Sequence, residues 1–223
     1  KSFEDYDTQA KQTLLYVELL SDEEIKDDLV ETLVDMLGYE ITPAYLFNVL
    51  ADQAQQNTFQ LNDLAKAFND LSTKYIQFNG LFDDVDLQSK KLGSDDQQRN
   101  ITITEVLKKL NHVELLGQSR DVIGDAYEYL ISQFASEAGK KAGEFYTPHE
   151  VSDMMARIVT INHENKKLFS VFDPTMGSGS LMLNVRNYLN YPETVKYHGQ
   201  ELNTTTFNLA KMNLILHGVK SED

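Results

Sequence analysis

The chain lacks cysteine altogether, and its 223 residues include no long apolar run. Without cysteine, disulfides and thiolate-bound metal sites are excluded. No segment approaches the roughly 20 consecutive apolar residues that a helix needs to cross a bilayer, and the first five residues lack the charged and apolar regions of a signal peptide. We therefore expect a globular, cytoplasmic protein that makes no contact with a membrane.

Basic residues are scarce as well. The chain has 20 Lys and Arg against 35 Asp and Glu, which gives a formal net charge of −15. Residues 1–100 hold 20 of the acidic and 8 of the basic side chains, so the acidic excess lies mainly in this part. A chain of this charge repels DNA phosphates when it is alone. Most of the charge is expected to be solvated surface, although a strongly acidic face can also bind a basic partner.

Helical periodicity dominates residues 1–137. Residues 21–24 form a capping box at the start of one helix, and Thr42-Pro43 has the cap and first-turn proline of another. Apolar residues at helical spacing predict three further helices. The first runs from Leu61 to Leu71, and a polar connection at about residues 78–99 separates it from the second, around Val106, Leu107 and Leu110. The third covers residues 121–134, and its aromatic side chains are expected to pack in the core.

From Gly139 onward the pattern changes to alternating helices and strands. Thr147-Pro148-His149-Glu150 is a second capping box with proline at the first helical position, and it opens a helix that continues to about Val159. Residues 168–172 and 195–199 read as short strands, the first of them buried, and each is followed by a helix. This order predicts a helical domain at residues 1–137 and the start of a Rossmann-like α/β domain at residues 138–223.

The chemistry is concentrated where the two strands end. The first strand leads into Asp173-Pro174-Thr175-Met176-Gly177-Ser178-Gly179, and Glu201 follows the second. The glycines permit a sharp turn and close approach of a ligand, while a carboxylate at the next strand end can accept hydrogen bonds from both hydroxyls of a ribose. A phosphate cofactor is disfavoured because the full G-x-G-x-x-G and the G-x-x-x-x-G-K-[ST] patterns are missing. Together with Gly143-Glu144-Phe145-Tyr146-Thr147-Pro148 upstream, these segments indicate S-adenosylmethionine.

The same segments resemble the modification (M) subunit of type I restriction-modification systems, a DNA adenine methyltransferase. The resemblance runs from about Asp121 to Gly218. In that family Gly-x-Phe-Tyr-Thr-Pro and Asp-Pro-Thr-x-Gly-Ser-Gly form the cofactor pocket, and the acid of Gly-Gln-Glu-Leu-Asn binds the ribose. The family usually has a smaller residue at Met176, a departure expected to narrow the pocket slightly. The resemblance implies these cofactor-binding residues: Glu144, Phe145, Tyr146, Thr147, Pro148, His149, Asp173, Thr175, Gly177, Ser178, Gly179 and Glu201.

The resemblance also implies a reaction and a set of partners. The family transfers a methyl group from S-adenosylmethionine to the N6 amino group of an adenine turned out of the DNA duplex. A separate specificity subunit chooses the DNA sequence, a second modification subunit joins it, and a restriction subunit binds where cleavage is needed. Double-stranded DNA would be contacted through this complex. The helical domain at residues 1–137 is expected to serve assembly or to close over DNA.

One motif of the family is missing. Its catalytic Asn/Asp-Pro-Pro-Tyr/Phe cannot occur here, because none of the four prolines is followed by another proline. We therefore expect the chain to be truncated ahead of that motif, to contain no catalytic residue and to be inactive alone.

Two other classes of function stay open. A methyltransferase acting on protein or RNA would share the glycine loop and Glu201, although it would not predict Phe145-Tyr146-Thr147-Pro148 or the large helical domain. A non-catalytic assembly module would use the glycine loop only for packing. The five histidines show no metal-ligand spacing such as H-E-x-x-H, so no metal site is predicted.

Overall fold

The computed structural model describes residues 39, 42–113, 120–138 and 146–219. The chain divides into two compact units, Lys1–Ser119 and Arg120–Asp223. The helix predicted to begin at residues 21–24 lies outside the described residues. Within the described ranges, every helix is too short or too polar to cross a membrane.

The first unit is helical in its described part. Helix α1 spans Phe47–Gln55, α2 spans Leu61–Lys74 and α3 spans Asp96–Leu110, with 3-10 turns at Pro43–Tyr45 and Ile76–Phe78. The helices predicted from Leu61 and around Leu107 are thereby confirmed. A core of buried apolar side chains joins α1 and α3: Leu50, Ala54, Phe59 and Leu107.

The start of α1 differs from its prediction. Thr42-Pro43 opens a 3-10 turn, in which the Tyr45 amide donates to the Thr42 carbonyl at 2.8 Å. Leu46 is extended, with φ −64° and ψ 144°, and this interrupts the turn before α1 begins at Phe47. The predicted cap therefore belongs to the turn and not to the α-helix.

Side-chain hydrogen bonds complete the helix ends of this unit, one of them local and the others distant in sequence. Asp95 caps α3 by accepting from the Gln98 amide at 2.9 Å. The start of α2 has no cap of its own, so Asn100 of α3 accepts from the Leu61 amide at 2.6 Å and donates to the Phe59 carbonyl at 3.1 Å. These bonds satisfy backbone groups that the helix leaves unpaired.

The second unit has the alternating order that the sequence predicts. Its elements are α4 (Arg120–Ala138), α5 (His149–Thr160), β1 (Phe169–Asp173), α6 (Ser180–Asn184), β2 (Val195–Gly199) and α7 (Thr204–Leu216), with 3-10 turns at Val185–Tyr188 and Pro192–Thr194. The strands are parallel, and their register pairs Phe169 with Val195 and Asp173 with Gly199.

Helices cover only one face of this sheet in the described structure. Val171 and Tyr197 face inward and pack beside the buried Met182 and Ala210. The other face is exposed, and Phe172 on this face is 62% exposed. The prediction of a buried first strand is therefore wrong for its outer face, because the side chains of a strand alternate between the two faces of its sheet.

Helix α5 begins one residue later than its prediction. Pro148 has φ −52° and ψ 140°, so it is the last extended residue, and its carbonyl accepts the first helical bond from Ser152. No side chain caps the helix, so the predicted capping role of Thr147 is wrong. Thr147 precedes a proline and is therefore restricted to extended conformations, so the helix cannot begin at Thr147.

The face of α5 that packs is built from small residues. Ser152, Ala156 and Thr160 recur every four residues and are buried, whereas the apolar side chains of Met154 and Ile158 are 55% and 59% exposed. Small side chains allow close approach to α6 and to the turn that follows it. The packing face was therefore not the most apolar face of the helix.

Helix α4 packs within the second unit, whereas the sequence analysis placed it in the first domain. The Tyr127 hydroxyl donates to the Leu209 carbonyl of α7 at 3.5 Å, and burial raises the pKa of Tyr127 to about 12. Of the aromatic side chains expected in the core, Tyr129 and Phe134 are 64% and 60% exposed. Only part of the predicted aromatic packing is present in the described structure.

Candidate functional site

The loops that follow β1 and β2 lie side by side at one edge of the sheet. Because the strands are parallel, both carboxyl ends reach the same edge, which is where doubly wound sheets bind ligands. The Asp173 carbonyl accepts from the Gln200 amide at 2.9 Å, and the Gln200 carbonyl accepts from the Met176 amide at 2.9 Å. The two predicted loops are thus joined by their own backbones.

The glycine loop depends on two residues with positive φ. Gly177 has φ +54° and Gly179 has φ +79°, a left-handed region that residues with a side chain rarely adopt. A Cβ on Gly179 would meet only Ala210, at an ordinary contact distance of 3.5 Å, so conformation and not crowding requires glycine there. Asp173 shapes the start of the loop, since its Oδ1 accepts from the Thr175 amide at 2.9 Å.

Glu201 is held directly against the glycine loop. Its Oε2 accepts from the Gly177 amide at 3.2 Å, and its Oε1 accepts from the Asn203 amide at 2.9 Å. Asn203 in turn caps α7 by accepting from the Thr206 amide at 3.0 Å. The predicted acid and the predicted glycine are therefore brought into contact, and the start of α7 determines the position of the acid.

Two side chains of the glycine loop turn inward. Ser178 is buried, and its hydroxyl is 3.1 Å from the Ser180 hydroxyl. Met176 is also buried and packs with Met182 and Ala210. The expectation that Met176 narrows the pocket is therefore wrong, because its thioether fills the core beneath the loop.

Gly199, at the end of β2, makes room for Met176. A Cβ built on Gly199 would overlap Met176 Sδ and would lie 3.0 Å from Met182 Cε. The absence of a side chain at Gly199 therefore allows the glycine loop to send a long side chain into the core.

The upstream motif lies partly outside the described residues. Glu144 and Phe145 fall in the segment that is not described, whereas Tyr146 and Thr147 are half-buried and Pro148 is exposed. Burial raises the pKa of Tyr146, and the nearby carboxylates raise it further: Glu128 and Glu150.

His149 lies in a polar groove of about 300 Å³ between α4, α6 and the end of α7. Glu128 and Asn184 line the same groove. Arg186 also lines it and donates to the His217 carbonyl at 3.0 Å. The structure therefore places His149 in this groove, and Gly177 with Glu201 at the carboxyl edge of the sheet.

Asn213 is the residue that the sequence analysis missed. It is fully buried on α7, and its Nδ2 donates to the Ser178 carbonyl at 3.1 Å and to Glu128 Oε1 at 3.2 Å. A sequence signal was present: Asn213 follows Ala210 by three residues, so the two lie on the same face of α7, whose buried positions also include Thr206 and Asn208. A polar side chain at such a position normally has a buried partner.

Two family models together match nearly the whole chain. Residues 1–110 match the HsdM N-terminal domain, and residues 118–223 match the N-6 DNA Methylase family. The type I restriction enzyme MpnII methylase subunit of Mycoplasma pneumoniae is 37% identical, over 98% of this chain and 43% of that protein. The chain belongs to the methylase-subunit family of type I restriction enzymes.

Other methylase subunits of type I restriction systems are also similar to this chain. The MjaVII methylase subunit of Methanocaldococcus jannaschii is 30% identical over 94% of this chain and 38% of that protein. The crystal structure of the type I restriction-modification methyltransferase subunit from Streptococcus thermophilus is 46% identical, with a TM-score of 0.86 over 93% of this chain and 44% of that one. The chain spans less than half the length of each of these methylase subunits.

Membership of the methylase-subunit family confirms the resemblance and the predicted fold class. The first family model is the N-terminal domain of such subunits, and its described part here is helical. The second is the DNA methylase domain, of which residues 118–223 contain the helices and strands described above.

Proposed function

We propose that the glycine loop and Glu201 bind S-adenosylmethionine, and that the full-length protein transfers its methyl group to the N6 amino group of adenine in DNA. The observation that carries the proposal is the 3.2 Å hydrogen bond from the Gly177 amide to Glu201 Oε2, which joins the two loops at the carboxyl edge of a parallel sheet. The match to the N-6 DNA Methylase family supports the reaction.

The residues present fit this cofactor. Each oxygen of Glu201 accepts one backbone hydrogen bond, and a carboxylate oxygen has a second lone pair that can accept from a ribose hydroxyl. Met176 and Ser178 turn inward, so neither side chain covers the outer surface of the loop, where Pro174 and Thr175 are the exposed residues. Gly177 and Gly179 carry no side chain that would keep a ligand away.

In the proposed reaction the cofactor supplies the methyl group and the residues of the site hold the cofactor in position. S-adenosylmethionine, when bound, supplies a methyl group on a sulfonium that is already a good leaving group. Glu201 would orient the ribose, and Asp173 would keep the loop in shape through its bond to Thr175. We assign the second wall of the pocket to the upstream motif, Glu144-Phe145-Tyr146-Thr147-Pro148-His149. Positioning of the two reactants is then the main catalytic task.

Cofactor titration of the full-length protein tests the binding site. We expect Glu201→Ala to lower the affinity for S-adenosylmethionine by about tenfold or more, because two hydroxyl acceptors are lost. Glu193→Ala is the matched control, since Glu193 is an exposed acid near the opposite end of β2, and its affinity should be unchanged. Equal binding by Glu201→Ala and the control would contradict the site.

Methyl transfer tests the substrate. The complete complex with labelled S-adenosylmethionine should label adenine in duplex DNA. Labelling of RNA or of a protein instead would favour the other class of methyltransferase, and cofactor binding without any transfer would favour an assembly module. The 223 residues alone should transfer nothing, because they lack the Asn/Asp-Pro-Pro-Tyr/Phe motif that holds the target base in this family.

We further propose that a specificity subunit chooses the DNA sequence, and that a second modification subunit and a restriction subunit complete the complex. The net charge of −15 supports contact with DNA through such a complex and not by this chain alone. The N-terminal helical domain would serve assembly. Deleting residues 1–119 tests this role without removing α4, and undiminished capture by the specificity subunit would contradict it.

A further inference from the structure

Asn213 links three segments that are far apart in sequence. Its side chain is fully buried, and its Nδ2 lies 3.1 Å from the Ser178 carbonyl, 3.4 Å from Ser180 Oγ and 3.2 Å from Glu128 Oε1. Ser178 belongs to the glycine loop, and Glu128 belongs to α4. One amide group therefore ties the loop to two helices.

The surroundings determine how this amide is oriented. Two of the three neighbours of Nδ2 are acceptors only, namely the Ser178 carbonyl and the Glu128 carboxylate. Rotating the amide by 180° would place Oδ1 against both of them. Asn213 Oδ1 has no hydrogen-bond partner in the described structure although it is buried. The amide orientation therefore keeps the hydrogen bonds donated by Nδ2 although it leaves the Oδ1 acceptor unsatisfied. This indicates that the donated bonds are the function of the side chain.

Glu128 also connects the loop to the upstream motif. Its carboxylate raises the pKa of Tyr146, so its charge acts on the segment that precedes α5. The same carboxylate accepts from Asn213. Glu128 thus acts on Tyr146 through its charge, beside the larger effect of burial, and accepts from Asn213, which also donates to the Ser178 carbonyl. Neither Glu128 nor Asn213 belongs to the predicted cofactor motifs.

We propose that Asn213 is a positioning residue that holds the glycine loop in its ligand-binding shape and couples that shape to α4 through Glu128. The proposal rests on the function proposed above, because it takes the loop as the cofactor site. Ser178 directly precedes Gly179, whose positive φ ends the loop. Holding the Ser178 carbonyl therefore restricts the peptide plane at the point where the chain turns into α6.

Exchanging donors and acceptors separates positioning from general stability. In Asn213→Asp, the new carboxylate faces both Glu128 and the Ser178 carbonyl, so stability and cofactor affinity should both fall. Adding Glu128→Gln supplies a donor to this new carboxylate, and the Ser180 hydroxyl can rotate to donate as well. Of the three groups around the new carboxylate, only the Ser178 carbonyl cannot become a hydrogen-bond donor. The double variant therefore measures the effect of losing the hydrogen bond to that carbonyl. Glu128→Gln alone is the matched control, since its amide oxygen still accepts from Asn213.

Three measurements on the full-length protein are needed: melting temperature, affinity for S-adenosylmethionine, and amide hydrogen exchange of residues 176–180 without ligand. We expect the double variant to melt at a higher temperature than Asn213→Asp, because only the Ser178 contact is now lost, but to bind the cofactor about tenfold more weakly than Glu128→Gln, as for one lost hydrogen bond. Its loop should also exchange faster than in the control. If the double variant equals Glu128→Gln both in affinity for the cofactor and in the exchange rate of residues 176–180, the proposal is overturned.

The exchange measurement separates this inference from the proposed function. If the unmodified protein does not bind S-adenosylmethionine and the double variant still exchanges faster over residues 176–180, the proposed function fails and the positioning role stands. If the unmodified protein binds the cofactor and the double variant matches the control in affinity and exchange, the function stands and the positioning role fails.

Discussion

Gly199 has only a hydrogen atom where other residues have a side chain, and this leaves space for a side chain of the glycine loop. Met176 occupies the space that a Cβ would need, and Met182 borders it at 3.0 Å. The Met176 amide also donates to the Gln200 carbonyl, so the side chain and the backbone of one loop both depend on the residues that end β2. Gly199 is thus a packing requirement, in contrast to Gly179, where the requirement is conformational.

We therefore predict that Gly199→Ala destabilises the protein by roughly 1–3 kcal/mol, the usual penalty for overpacking a core. Met176→Ala should also destabilise it, by about 2–5 kcal/mol, because it leaves a cavity. The double variant should lose less than the sum of the two, since each change relieves the other. Denaturant unfolding measures all three, with Ser170→Ala on the exposed face of β1 as the control. Strict additivity would contradict the contact.

At the scale of elements, α4 and α7 approach closely because Gly124 lies beneath His217. A Cβ on Gly124 would come within 2.5 Å of the His217 ring. The ring is itself held, since His217 Nδ1 lies 3.0 Å from the Asn213 carbonyl. Glu128 is one turn further along α4 than Gly124. The separation of the two helices therefore also determines whether Glu128 reaches Asn213.

Two opposing effects make Gly124→Ala informative. Alanine in place of glycine inside a helix stabilises it by about 1 kcal/mol, whereas the clash with His217 costs roughly 1–3 kcal/mol. We predict a net loss of stability in the unmodified background. In a His217→Ala background the clash is absent, so the same substitution should stabilise the protein by about 1 kcal/mol. Thermal unfolding of the four proteins checks this reversal of sign, and a loss in both backgrounds would contradict the packing.

Elements were predicted more reliably than their boundaries and faces. The capping box at Thr147 failed because Pro148 itself is extended, and the cap at Thr42 failed because Leu46 interrupts the turn. Helix α5 was predicted close to its observed position, but its buried face consists of the small residues Ser152, Ala156 and Thr160. Periodicity shows that a helix has two faces, whereas the neighbouring element decides which face is buried.

At the scale of the whole molecule, the division at residues 119 and 120 assigns α4 to the unit that holds the glycine loop. The family models meet in the same region, between residues 110 and 118. Because Tyr127 and Glu128 contact α7, the second unit without α4 would lose a partner of Asn213.

Two truncations of the full-length protein test this division. A protein that begins at Arg120 should bind S-adenosylmethionine within about twofold of the full-length protein, because every contact of Asn213 is kept. A protein that begins at residue 138 should bind it at least about tenfold more weakly, since the bond to Glu128 is gone. Titration with the cofactor measures both, and equal affinities would show that α4 does not support the site.

Sequence patterns alone predict the fold class, the positions of the strands and of most helices, and the pairing of the glycine loop with Glu201. These features are local: helical spacing, positive φ at glycine and a carboxylate at a strand end can each be recognised from a few adjacent residues. Sequence patterns did not predict that Met176 fills the core, that Asn213 donates to the Ser178 carbonyl or that α4 packs on α7. Burial and hydrogen-bond partners depend on residues distant in sequence, such as Gly199 for Met176 and Glu128 for Asn213.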